Sequence, residues 1–295
     1  MVSNATPHPP AAPSPRDPGR GAIQPRAALI LAGGAGTRLR PLSSDECPKQ
    51  FLRLWHGKSL IELTFERIAK LVPEEQIFIS TNEQYRRLTL EHLPRLNPDN
   101  VIAEPARRNT APAIALCCFT IASRLGESAT IGCFASDHFI ADEPEFVRVL
   151  DRAYAFAETH DELVAVGIVP DEPNTGFGYL ELGEELAPGV IRNVRFTEKP
   201  SLERAEEFLR AGNYAWNASM FIWRASVFRE ALTKASPDVA TVTMASYESM
   251  PNISIDYALM EKAPNVATIR GDFGWSDVGS WDALRKSGAE IPEHY

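Results

Sequence analysis

A layered α/β fold, with a mixed and mostly parallel central sheet flanked by helices, is what this sequence predicts. Three observations carry that expectation. From Arg26 onward, short apolar runs alternate with segments of helical periodicity, the pattern of strands and helices stacked in layers. A glycine-rich turn, Gly33-Gly34-Ala35-Gly36, follows the first apolar run directly. Asp137 and Asp277 stand just beyond later runs, and ligands of open α/β sheets sit outside the carboxyl ends of the strands. A chain of 295 residues, 44% of them hydrophobic, suits one large elaborated core.

Residues 1–26 are crowded with Pro, Ala, Ser and Gly and read as a disordered Pro-rich tail, leaving 27–295 as the folded domain. Ala27 to Leu31 is the first, buried strand. Leu60, Leu63, Ile68 and Leu71 fall at helical spacing, and Gln76 to Ser80 reads as the next strand. Asn109-Thr110 is a polar cap for a helix over Ala111 to Leu125, with Pro112 in its first turn and Gly126 past its end. Ala129 to Phe134 is then a strand that runs into Ser136-Asp137-His138. Phe146, Val149, Leu150, Ala153 and Ala157 mark an amphipathic helix, followed by a strand over Leu163 to Val169. Beyond Pro170 the runs shorten, at Phe177 to Leu182, Val190 to Thr197 and Met220 to Trp223; these are expected to form a mixed sheet edge and a substrate lid. There is no internal repeat.

A net charge of −9 and a pI near 5.3 argue against a partner that is nucleic acid or an anionic membrane, so any phosphate ligand must be met by local positive charge. Cys47, Cys117, Cys118 and Cys133 show no C-x-x-C spacing and read as reduced, packed thiols. No run reaches the roughly 18–20 apolar residues of a membrane span, and no signal-peptide layout opens the chain. A soluble cytoplasmic protein is expected.

The stretch LILAGGAGTRLRPLSSDECPKQF places that positive charge where it is needed. A glycine turn lets the backbone approach an anion, and successive amides can point into one concavity. Arg38, Arg40 and Lys49 follow closely. Leu39 stands where a dinucleotide fingerprint needs its third glycine, and Gly57-Lys58-Ser59 lacks the leading glycine of a Walker A loop.

With these residues in view, GGAGTRLRPLSSDECPKQFL resembles the opening motif of the sugar-1-phosphate nucleotidyltransferases, and PKQFL has the form typical of mannose-1-phosphate guanylyltransferases. EPARRNTAPAIAL, ASDHFI, GFGYLE, FTEKP, NASMFIW, SIDYALME and GWSDVGSW follow in the family's order, so the resemblance covers about Ala27 to Leu284. It implies a Rossmann-like nucleotidyltransferase fold. It also implies that GTP and mannose 1-phosphate react to give GDP-mannose and pyrophosphate with Mg2+.

The resemblance assigns roles residue by residue. Arg38 and Lys49 grip the triphosphate and stabilise the leaving pyrophosphate. Leu31, Ala32, Gly33, Gly34, Gly36 and Thr37 form the turn around the nucleotide, and Glu104, Asn109, Ser136 and Asp137 complete its site. Lys199, beside Glu198, holds the sugar phosphate; Glu181 and Asn217 bind hydroxyls, and Gly178 leaves room for the ring. Asp137 and Asp277 hold the metal, since hard Mg2+ takes one or two carboxylates and fills its shell from phosphates and water. A sugar phosphate is largely dianionic at neutral pH and needs no general base, so positioning and charge neutralisation carry the catalysis.

Some positions have two readings. Glu104 is either the acceptor facing guanine or one half of a buried ion pair with Arg107 or Arg108. Asn109 and Thr110 can serve as a helix cap alone. His138 reads as a structural hydrogen bonder, and Trp216, Trp223, Trp275 and Trp281 as core or pocket walls. Ser219 replaces the family's usual glycine, and Arg40 stands where many relatives have Trp.

Two other functions are weighed. A nucleotide-sugar-dependent glycosyltransferase would want an Asp-x-Asp pair, which the sequence lacks. A non-catalytic sugar-nucleotide-binding regulatory protein would have no reason to keep Arg38, Lys49, Asp137, Lys199 and Asp277 together. The 14 residues after Trp281 are too few for the left-handed β-helix that many relatives add, so a homo-oligomer is possible but not specified.

Overall fold

The computed structural model describes residues 24–34 and 36–293. The tail expected over 1–26 lies outside the described residues as far as residue 23; Arg26 already belongs to the first strand.

In chain order come β1 (Arg26–Leu31), β2 (Arg53–Trp55), β3 (Lys58–Ser59), α1 (Leu60–Ile68), β4 (Ile77–Asn82), α2 (Arg86–His92), β5 (Val101–Glu104) and α3 (Thr110–Leu125). Next are β6 (Thr130–Ala135), β7 (Phe139–Ile140), α4 (Glu143–Ala157), β8 (Leu163–Ile168), β9 (Tyr179–Ala187), β10 (Val190–Thr197) and α5 (Leu202–Ala211). The last are β11 (Tyr214–Arg224), α6 (Ala225–Ala235), α7 (Pro237–Ala240), β12 (Val266–Gly271), β13 (Trp275–Ser276) and α8 (Trp281–Lys286).

Among the described residues nine strands form the main sheet in the order β5-β4-β1-β6-β11-β8-β12-β10-β9, with β9 also paired to β11. β1 pairs in parallel with β4 and β6, β4 with β5, and β8 with β12, while β11 and β10 run antiparallel to their neighbours. The sheet is therefore mixed, with most strands pointing one way. Along β1 the side chains alternate between two cores: Ala27 and Leu29 join the cluster under α3 and α6, Ala28 and Ile30 the one under α1 and α4. Burial on both faces is why the run reads as continuously apolar.

The helix boundaries rest on local chemistry. Ser59 and Glu62 form a capping box at the start of α1. Asn109 caps α3 by accepting from the Thr110 amide, and Gly126 closes that helix at φ 94°. Cys117, Cys118 and Cys133 are buried as free thiols.

One expectation needs correction. Met220 to Trp223 reads as a short edge run, but β11 spans 11 residues and lies between β6 and β8 in mid-sheet. Its register shifts between Asn217 and Phe221, where Ser219 adopts a left-handed φ of 52°, and this break hides the strand's length from a periodicity reading. Two further strands are Val101–Glu104, only four residues long, and Val266–Gly271, where Thr268 and Arg270 interrupt the apolar run. Among the described residues no helix is long and apolar enough to cross a membrane.

Candidate active site

The site begins where β1 ends. The chain turns through Gly33 and Gly34 to Gly36, which sits at φ 61°. A Cβ on Gly36 would lie 2.7 Å from both the Cβ and the backbone N of Lys49, so glycine alone allows the Lys49–Phe51 turn to pack beneath the loop. Lys49 is buried, yet its Nζ lies 2.8 Å from Asp137 Oδ2 and donates to the Asp277 carbonyl at 2.6 Å. Lys49 thus reaches a carbonyl 228 positions away in sequence.

A two-strand ladder makes that meeting possible. β7 follows Asp137 and His138, β13 precedes Asp277, and the two pair antiparallel with Ser276 opposite Phe139 and Trp275 opposite Ile140. Both aspartates consequently line one hollow of about 290 Å³, together with Gly36, Thr37, Arg38 and Lys49. Arg38 Nη1 stands 3.9 Å from Asp277 Oδ2, on a largely exposed side chain. Asp277 Oδ1 accepts from the Gly279 amide.

Burial pushes the Asp137 carboxyl up, but the Lys49 ammonium, with His138, outweighs it and holds the group below its ordinary value. Asp137 is therefore an anion at neutral pH. Burial lowers His138, whose Nδ1 accepts from Trp275 Nε1 at 3.1 Å, which fits the structural role read for it. Among the described residues no group of three or more His, Cys, Asp or Glu is placed to hold a metal. Two hard carboxylates opening on one hollow nevertheless suit Mg2+, which draws its remaining oxygens from phosphate and water.

Next to this hollow is a polar cleft of about 470 Å³, reached by Arg38 and Asp277 and lined by Gly178, Glu198, Lys199 and Asn217. Lys199 Nζ donates to Glu198 Oε1 at 2.8 Å, and that bond raises the lysine pKa. Gly178 lies close under Glu198, and a Cβ there would come within 2.5 Å of Glu198 Oε2, so a side chain at this position would displace that carboxylate. Asn217 is held at both ends: its Oδ1 accepts from the Ser219 amide at 3.1 Å, and its Nδ2 donates to Asp256 Oδ1 at 3.0 Å.

Glu181 is placed elsewhere. On β9 it shares a face with Tyr179, two residues before it, and Tyr179 is buried against Ala205, Phe208 and Trp216. Glu181 Oε2 stands 4.0 Å from Arg195 Nε and does not line the cleft. Asp256, by contrast, lines it without having been singled out from sequence. It opens a five-residue π-helical turn, a geometry frequent at functional sites. Burial, then the nearby Glu198 charge, push its pKa from 3.8 to about 6.

On the other side of Asn109, Thr110 and Asp256 lies a more apolar hollow of about 420 Å³, with Leu31, Gly33, Gly34, Ala113, Ile114 and Phe221 in its wall. Glu104 is at its back, and burial pushes its carboxyl up. It accepts from Ser80 Oγ at 2.6 Å and from Tyr247 OH at 2.7 Å. The buried ion pair weighed from sequence is absent among the described residues: Arg107 donates to Tyr85 OH and Arg108 to the Glu248 carbonyl. Both Glu104 oxygens already accept from protein donors, which leaves a guanine edge only shared positions on that carboxyl.

The remaining residues hold the frame of the site. Ser136 is buried, and its amide donates to the Leu31 carbonyl, tying β6 to β1 behind the cleft. Ala32 donates its amide to the Ser80 carbonyl. Asn109 caps α3, and Thr110 Oγ1 accepts from the Ile255 amide. Trp216 and Trp223 are buried, Trp275 is a cleft wall, and Trp281 packs with the cluster of Leu39, Leu54, Trp55 and Val278. The three hollows share lining residues and form one groove along the carboxyl ends of β1, β4 and β6.

Comparison with known proteins adds a family match. The model of the family described as nucleotidyl transferase matches residues 27–294. The chain is 38% identical over 277 residues to a mannose-1-phosphate guanylyltransferase of Sinorhizobium fredii, covering 88% of this chain and 54% of that protein. It is 39% identical over 278 residues to one of Klebsiella pneumoniae, covering 87% and 58%. The chain thus spans little more than half the length of these curated relatives. Among solved structures, a Thermus thermophilus protein described as a mannose-1-phosphate geranyltransferase superposes with a TM-score of 0.80 at 34% identity, covering 90% of this chain and 80% of that one.

Proposed function

We propose, from the premise that the chain belongs to the nucleotidyl transferase family, that it transfers GMP from GTP to mannose 1-phosphate, giving GDP-mannose and pyrophosphate. The observation that carries the reading is the meeting of Lys49, Asp137 and Asp277 at one hollow, which opens on the cleft holding Lys199. Two polyanions repel each other, and this arrangement sets fixed cations at both ends of their shared path.

In this reading the purine lies in the 420 Å³ hollow, the triphosphate wraps the glycine turn, and the mannose ring fills the polar cleft. Lys199 holds the sugar phosphate with one oxygen facing the α phosphorus. That oxygen forms the new P–O bond while the bond from the α phosphorus to the bridging oxygen breaks, and pyrophosphate leaves with its electrons toward Arg38 and Lys49. No proton has to be removed from the nucleophile. Asp137 and Asp277 would hold Mg2+, which when bound neutralises phosphate oxygens. Asn217, fixed by Asp256 and the Ser219 amide, faces the sugar hydroxyls.

Guanine and mannose as the preferred pair rest on the motifs PKQF and FTEKP and on the relatives' activity. The cytoplasm is the compartment this reading assigns, in keeping with four free cysteines. The test is a panel of nucleoside triphosphates and hexose 1-phosphates with mass-spectrometric product detection. GDP-mannose is expected as the main product; no nucleotide sugar from any pair would overturn the reaction, and another product would overturn the base or the sugar.

A further inference from the structure

A glycine turn is not by itself an anion nest. Glycine peptides rotate at little steric cost, and each peptide unit carries its C=O opposite its N–H, so a freely turning loop presents carbonyls to a phosphate as readily as amides. In this protein four buried side chains from three separate segments take hold of the loop carbonyls. Gln50 Nε2 donates to the carbonyls of both Ala32 and Gly34, each at 3.0 Å. Thr81 Oγ1 donates to the Ala32 carbonyl at 3.2 Å, Asn82 Nδ2 to that of Gly33 at 3.0 Å, and Ser43 Oγ to that of Gly36 at 2.6 Å. Because a peptide unit carries its C=O opposite its N–H, each held carbonyl turns the amide that follows it, at Gly33, Gly34 and Thr37, away from the side chain that grips it.

We infer that Gln50, Thr81, Asn82 and Ser43 are positioning residues that set the glycine loop for the triphosphate, with Gln50 as the central tie. Gln50 neighbours Lys49 on the same short turn. One face of that turn carries the cation and the other grips the loop, so ammonium and amides keep a fixed spacing. The inference deepens the proposed reaction and rests on that reading for the identity of the anion, but not for the clamp itself.

The probe is inorganic tripolyphosphate, which carries neither base nor sugar, titrated calorimetrically into the full chain and into Gln50→Leu and Asn82→Ala. Each variant removes neutral hydrogen bonds from the loop and is expected to weaken tripolyphosphate about tenfold. The KM for GTP should rise in step while that for mannose 1-phosphate stays within about twofold, a split that general loosening of the fold would not give. Asn82→Ala acts from the end of β4 rather than from that turn and decides the matter if Gln50→Leu does not fold. Unchanged tripolyphosphate binding in the variants, no binding by the unaltered chain, or a parallel rise in both KM values would each overturn the clamp. A chain that binds tripolyphosphate, loses it on substitution, and makes no GDP-mannose would uphold the clamp and sink the proposed reaction.

Discussion

Replacing Asp256 by Asn should make the ligand-free protein more stable, and by an amount that depends on pH. The carboxyl faces Asn217 Nδ2 and the Glu198 and Lys199 side chains, and burial is the main reason its pKa is raised from 3.8 to about 6. A rise of roughly two units corresponds to about 3 kcal/mol. The sign follows from which state keeps the proton. Below the ordinary value both folded and unfolded chains hold it, and the group has no effect. As pH climbs from about 4 to 6 the unfolded chain releases the proton first, so the native state loses stability; above 6 the penalty is constant. Asparagine keeps an acceptor for Asn217 and cannot ionise. Paired urea denaturation curves should therefore converge near pH 4, differ by about half the full effect at pH 5, and differ by up to about 3 kcal/mol at pH 8. A difference that stays flat across this range would show that the carboxyl is not held neutral. The same variant should raise the KM for mannose 1-phosphate, since a buried carboxylate that costs stability is kept for binding.

Three other outcomes are expected. Asp137→Asn should lower turnover on the order of a hundredfold or more while leaving the fold intact; chelation should silence the unaltered enzyme and added Mg2+ restore it, and pyrophosphate release that persists in the variant or under chelator would contradict the metal role. Lys199→Met should raise the KM for mannose 1-phosphate at least about tenfold with that for GTP unmoved, which initial-rate kinetics with each substrate varied would show. Ser219→Gly relieves a left-handed side chain at φ 52° and should stabilise the protein by up to about 1 kcal/mol after the entropy of the added glycine is counted; a lower melting temperature would mean that the serine earns its place by contacts.

What could be read in advance was what is local. The first strand, its glycine turn, the cap at Asn109 and the helix through Phe146 and Ala157 depend on neighbours in sequence, and each stands where its residues put it. Arg38, Lys49, Asp137 and Asp277 were nameable by motif, and folding brings them to one hollow. Main-chain partners were out of reach, because a bond from Lys49 to the Asp277 carbonyl has no side-chain signature. Tyr247 is 143 positions from Glu104, too distant for a sequence reading to displace an arginine in the adjacent motif. Glu181 follows Tyr179 by two residues in a regular stretch of β9, so it takes the face that Tyr179 packs against Ala205, Phe208 and Trp216, a packing choice that the motif GFGYLE does not reveal. Asp256 stands inside the motif SIDYALME, but no role was attached to it there; a lone aspartate ahead of Ala258, Leu259 and Met260, all buried, was the available signal.

The ladder of Ile140 and Phe139 with Trp275 and Ser276 also orders events during synthesis. The glycine turn and Lys49 are translated early, but Lys49 cannot find its carbonyl acceptor until Asp277 has left the ribosome. A nascent polypeptide can thus shape the sheet around β1, β4 and β6 while its chemistry stays unassembled, and competence arrives as one late docking step.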